Sequence, residues 1–144
     1  MIMDLTKKVS EIMTASVIQV QIDTPLMDVL HILKKEKIRH IPVAKGNQLM
    51  GIVSRTDINR LTFGALMDNQ EEADEAILNM LSLSQVMTTN LRVVKHTDTI
   101  KDIAVIFASE EFHALPVVDS EDEWQCVGIV TTTDVIKHLL STVG

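Results

Sequence analysis

The chain has 144 residues, 46% hydrophobic and 23% charged, enough for one ordinary domain or two small ones sharing a core, and too apolar for disorder over most of its length. A formal charge of −7 with no basic run argues against nucleic acid as the main partner. The lone Cys126 excludes an internal disulfide and a cysteine-based zinc site, the start "MIMDLTKK" lacks the apolar stretch of a signal peptide, and no run is long enough to span a bilayer; the expected setting is cytoplasmic, with no membrane partner.

In chain order, "VSEIMT" (9–14) opens the pattern and "VIQV" (17–20) is a short β-favouring run. "DTP" (23–25) offers a helix start, with Thr24 as N-cap and Pro25 at the first helical position. Leu26, Val29, Leu30 and Leu33 then follow at the spacing of one helix face. A strand is expected at "HIPVA" (40–44), where Pro42 marks a strand start or an edge. A turn at "KGNQ", a second strand at "LMGIVS" (49–54) and a helix through "DINRLTFG" (57–64) complete the unit. Residues 65–82, "ALMDNQEEADEAILNMLS", read as a helical connector with an acidic solvated face.

The pattern then runs a second time. "LSQVMT" (83–88) repeats "VSEIMT", "LRVV" (91–94) repeats the first strand, and Asp98 takes the cap position before Ile100, Ile103, Ala104 and Phe107. "ALPVVD" (114–119), "CVGIVT" (126–131) and "DVIKHLL" (134–140) follow in the same order. Met87 lies 74 residues after Met13, and Asp134 lies 77 after Asp57; the extra residues fall in the turn "DSEDEW". The expected fold class is therefore α/β (α+β). It consists of two β-α-β-β-α repeats, residues 9–64 and 83–144, joined by the connector at 65–82. Halves this small bury too little surface alone, so they are expected to pack with pseudo-two-fold symmetry and two equivalent clefts.

The most similar segments are "GIVSRTD" (51–57) and "GIVTTTD" (128–134). Ser54-x-x-Asp57 and Thr131-x-x-Asp134 have capping-box spacing between a strand and a helix, and that role alone accounts for them. The same geometry suits a ligand. A helix start presents free N–H groups and positive potential to a phosphate. The hydroxyls of Ser54, Thr56, Thr131 and Thr133 add donors, and a carboxylate accepts from the vicinal diol of a ribose. Gly51 and Gly128 permit close backbone approach. Neither a nucleophile–base pair nor a metal cluster is evident; the acidic turn at 119–123 reads as solvated, and His31, His96 and His138 lack ligand spacing.

These residues, in this order and twice over, resemble a tandem pair of cystathionine-β-synthase (CBS) domains, the Bateman module; only the connector lies outside the likeness. The resemblance implies a regulatory module, not an enzyme, that needs no cofactor. It senses an adenine nucleotide (AMP, ADP or ATP) or an adenosyl ligand such as S-adenosylmethionine in clefts between the repeats. By position, it makes Asp57 and Asp134 the ribose acids, with Ser54, Thr56, Thr131 and Thr133 near ribose and phosphate. The base would lie against Thr14, Ile18, Ile38 and Arg39 at the Asp134 site, and against Thr88, Arg92, Phe112 and His113 at the Asp57 site. In an acidic chain Arg39, Arg55, Arg92 and His113 are the candidate phosphate partners. A homodimer and a separate regulated protein are the implied partners. The alternatives are a structural dimerisation module whose heptapeptides are only caps, and a small nucleotide-processing enzyme.

Overall fold

A computed structural model describes residues 4–15, 17–62, 79–120 and 124–142. Most of the connector expected to be helical, and the acidic residues 121–123, lie outside the described residues.

The chain divides into two compact units, and these do not follow the sequence repeats. One is the continuous stretch Ile18–Leu91; the other joins Met1–Val17 to Arg92–Gly144.

The continuous unit holds β1 (Val20–Gln21), α1 (Leu26–Lys35), β2 (His40–Lys45), β3 (Gln48–Ser54), α2 (Arg55–Thr62) and the short α3 (Leu83–Val86). Its sheet has the order β1-β2-β3, with β1 parallel and β3 antiparallel to β2. Leu26, Val29 and Leu33 of α1 are buried on this sheet with Ile41, Val43 and Val53. Ile58 of α2 and Leu83 and Val86 of α3 join the same core. Of the face expected of the first helix, Leu26, Val29 and Leu33 are buried and Leu30 is partly buried against the same core.

The second unit repeats this plan with β4 (Val94–Lys95), α4 (Ile100–Ser109), β5 (Ala114–Val118), β6 (Cys126–Thr131) and α5 (Thr132–Ser141). Its sheet runs β4-β5-β6 in the same senses. Val9, from the single helical turn Val9–Glu11, is buried in this core with Val94, Ile103, Leu115, Val117 and Val130. The β-α-β-β-α order expected for each repeat is therefore the order found.

Each opening motif extends the sheet of the unit it joins. Thr88 exchanges both backbone bonds with Ile52, at 2.8 and 3.0 Å, and Thr14 does so with Ile129, at 2.9 and 3.0 Å. This explains the prolines. Ile52 turns its N–H and C=O towards Thr88, so its pairing with Pro42 across β2 and β3 is of the non-hydrogen-bonded kind, and the missing proline donor costs that ladder nothing. Pro116 opposite Ile129 repeats the arrangement. Both prolines lie inside strands, at positions that β1 and β4 do not reach.

Two expected caps move by one residue. Pro25, not Thr24, is the N-cap of α1, and Thr99, not Asp98, caps α4. The displaced side chains serve the preceding turn: Thr24 Oγ1 accepts from the Gln21 N–H at 3.1 Å, and Asp98 Oδ2 accepts from the Lys95 N–H at 2.9 Å. The first strand of each repeat is also shorter than "VIQV" and "LRVV" suggest.

Candidate functional site

Each heptapeptide ends a strand and starts a helix. At α2 the Ser54 N–H donates to Asp57 Oδ2 at 3.0 Å, and the Asp57 N–H donates to Ser54 Oγ at 3.0 Å. At α5 the Thr131 N–H donates to Asp134 Oδ2 at 2.9 Å, and the Asp134 N–H donates to Thr131 Oγ1 at 3.2 Å. Both are complete capping boxes on half-buried side chains. A third box, Thr99 with Asp102, heads α4 outside the heptapeptides. Capping geometry alone is thus a structural device in this chain.

The two heptapeptides add further groups at the helix start. The first helical N–H is used in each: Arg55 donates to the Arg39 carbonyl at 2.9 Å, and Thr132 donates to the His113 carbonyl at 3.0 Å. The third is held by the cap. Between them the N–H groups of Thr56 and Thr133 have no partner among the described residues. Each aspartate holds the cap through Oδ2, and Oδ1 accepts nothing among the described residues. A backbone donor, the cap hydroxyl of Ser54 or Thr131 and a carboxylate oxygen therefore stand together at each helix start, where the dipole favours a negative group.

The remaining candidate residues divide between the units. Thr88 is in the unit of Asp57 and Thr14 in the unit of Asp134, each paired with the strand that leads into that helix. Ile18, Ile38 and Arg39 belong to the unit of Asp57; Arg92, Phe112 and His113 belong to the unit of Asp134. Ile18, Ile38 and Phe112 are half-buried, and Arg39, Arg55 and His113 are exposed. The Arg92 guanidinium lies 3.5 Å from the Glu110 carboxylate.

Sequence reasoning missed the methionines. A Cβ on Gly51 would lie 2.7 Å from Met87 Sδ and 2.9 Å from the Thr88 carbonyl oxygen; one on Gly128 would meet Met13 Sδ and the Thr14 carbonyl oxygen. The signal was present, because "MT" and "GIV" recur together in both repeats.

Burial pushes the Cys126 thiol up, and its S–H donates to the Gly128 carbonyl at 3.2 Å, so it is a poor nucleophile. Among the described residues no three His, Cys, Asp or Glu side chains cluster to hold a metal. No helix among them is long and apolar enough to cross a membrane.

The family model of the CBS domain matches residues 9–63 and 83–141. The chain belongs to the CBS-domain family. Its solved relatives include protein MJ1225 of Methanocaldococcus jannaschii, 26% identical, with a TM-score of 0.79 over 95% of this chain and 49% of that one. This CBS pair thus spans about half the length of MJ1225. The CBS pair of protein MJ0100, in complex with 5′-methylthioadenosine and S-adenosyl-L-methionine, is 26% identical with a TM-score of 0.73, over 94% of this chain and 97% of that one. CBSX2 in complex with AMP is 27% identical with a TM-score of 0.75, over 93% and 96%.

Proposed function

We propose that this CBS pair is a regulatory module that binds an adenosyl ligand at the helix starts headed by Asp57 and Asp134. The observation that carries this reading is the Oδ1 of each capping aspartate, which accepts nothing among the described residues, beside a threonine N–H with no partner among them at the same helix start. A ribose diol donates to such an oxygen, and a phosphate accepts from such a donor. Two relatives of similar fold are complexes with adenosyl ligands. Thr14, Thr88, Ser54, Thr56, Thr131 and Thr133 are the supporting polar contacts, and the half-buried Ile18, Ile38 and Phe112 are the surfaces for the base.

Calorimetry with AMP, ADP, ATP, S-adenosylmethionine and 5′-methylthioadenosine tests this. At least one binds, and at a hundred times its Kd stabilises the fold by about 2.7 kcal/mol. Asp57→Ala or Asp134→Ala lowers stability by about 1 kcal/mol through the lost cap and also abolishes binding at that site. Asp102→Ala supplies the control, because it loses a comparable cap and leaves affinity unchanged. Absence of binding by every ligand at millimolar concentration would refute the reading.

A second reading, association through helices, is favoured by Val105 of α4 and by Ile136 and Leu140 on one face of α5, all more than half exposed. A homodimer would cover them. Sedimentation of Leu140→Glu tests this, since a monomeric wild type would leave no dimer for the substitution to break.

A further inference from the structure

The exposed helix faces of the two units differ in kind at equivalent positions. In the second unit α4 and α5 are in contact, and Val105, Ile136 and Leu140 stand exposed on them. In the continuous unit α1 and α2 make the same pair. There His31, Lys34 and Lys35 take the places of Val105, Ala108 and Ser109, and Asn59 takes the place of Ile136. Just past the helices the charge inverts, with Lys37 after α1 and Glu111 after α4. Lys34, Lys35, Lys37 and Glu111 are all exposed, and none has an ion-pair partner among the described residues. Over those residues, cations outnumber acids in the continuous unit, and acids outnumber cations in the other.

We propose that the basic face of α1 in one copy of this chain docks on the exposed aliphatic face of α4 and α5 in a second copy. This rests on the association reading above, and it names the partner face and the sense of the pairing. Charge complementarity carries it. Lysine stems cover aliphatic surface while their ammonium groups stay in water and reach a carboxylate. Lys34 and Lys35 against Val105, Ile136 and Leu140, with Glu111 beside them, supply both halves of such a contact. Exposed ion pairs add little affinity singly, so burial of the aliphatic side chains holds the pair and the charges set its sense. Pairing each face with its own counterpart instead sets the lysines against the same lysines and Glu111 against Glu111, and like charges in contact disfavour it. Two-fold symmetry adds to the difference, because the crossed contact then occurs twice. A stable interface buries on the order of 1,600 Å² in total, more than one small aliphatic patch supplies against its own copy, and doubling the contact moves towards that area.

The test is sedimentation of the full chain in low and in moderate salt. The wild type forms a dimer that weakens as salt rises. Lys34→Glu together with Lys35→Glu raises its dissociation constant about tenfold or more, and Glu111→Lys acts in the same direction. Combining the three substitutions sets opposite charges face to face again, so that chain dimerises more tightly than either parent variant. The replaced side chains are exposed, and an unchanged far-ultraviolet circular dichroism spectrum confirms intact folding. A dimer that Leu140→Glu breaks, but that salt and the charge reversals leave unaltered or tighten, overturns the crossed docking and leaves association standing. A combined variant no tighter than its parents does the same. A wild type that stays monomeric at every concentration overturns both.

Discussion

At the scale of single residues, Gly51 and Gly128 have no room for a side chain. A new side chain at Gly51 meets Met87 Sδ, which can move, and the Thr88 carbonyl, which is fixed by its strand pairing with Ile52. Gly51→Ala is therefore expected to cost about 1–3 kcal/mol in denaturant unfolding. Met87→Ala in the same chain should return only part of that loss, because the backbone oxygen stays in place. Full recovery would locate the constraint in the methionine alone. A second residue-scale effect concerns acid stability. The Thr99 backbone N–H, and then its hydroxyl, hold the Asp102 carboxyl below the usual aspartate value, with help from Lys101. A depressed native value means that the ionised form stabilises the fold. That contribution is complete above the unfolded value of about 3.9 and is lost as pH falls through the lower native one. Asp102→Asn should thus lower the melting temperature near pH 7 and approach wild type near pH 2. A deficit that stays constant across this range would contradict the assignment.

At the scale of elements, strands and helices were legible wherever a hydrophobic period of two or of three to four was present. The apolar face of α1 and the strands around "IPV" and "GIV" are examples. Helix ends were less legible. Thr24 and Asp98 have good capping side chains, but each is recruited one turn earlier, by Gln21 and Lys95, and local composition does not say which neighbour wins. The end of α1 was likewise invisible. Lys37 adopts a φ of +54°, and the Ile38 N–H reaches back to the Leu33 carbonyl at 3.2 Å, the closing bond of a Schellman motif. The motif favours glycine there, because a Cβ in the left-handed region costs about 1 kcal/mol. Lys37→Gly should accordingly stabilise the chain by up to about 1 kcal/mol, read as a higher denaturant midpoint at unchanged slope. Destabilisation would mean that the lysine side chain contributes more than its backbone strain costs.

At the scale of the whole molecule, the repeat was legible and the exchange of its opening segments was not. "VSEIMT" and "LSQVMT" each offer a buried aliphatic residue, Val9 or Leu83, with the same methionine and the same threonine, and Gly51 and Gly128 receive them in the same way. Local chemistry makes either pairing equally good, so the tether between elements decides, and sequence similarity is silent on tethers. The candidate helix starts were legible as motifs. Their first helical residues, Arg55 against Thr132, could be read directly, but the backbone bonds that tie them to Arg39 and His113 join positions distant in sequence. The exchange has a measurable consequence. Val9 is fully buried in the core beneath β5 and β6, and Leu83 is buried beneath β2 and β3. Val9→Ala leaves a cavity in a unit whose other buried core residues lie more than 80 positions away in sequence, and should cost about 1–3 kcal/mol. Native-state hydrogen exchange on the full chain should place that loss in the amides of β5 and β6, although Val9 belongs to the first sequence repeat. Leu83→Ala should cost about 2–5 kcal/mol and loosen β2 and β3, although Leu83 belongs to the second. Loss of protection in the sheet of each residue's own repeat would reverse the division into units. Equal loss in both sheets would make the chain one cooperative unit, with no local opening for a ligand to suppress.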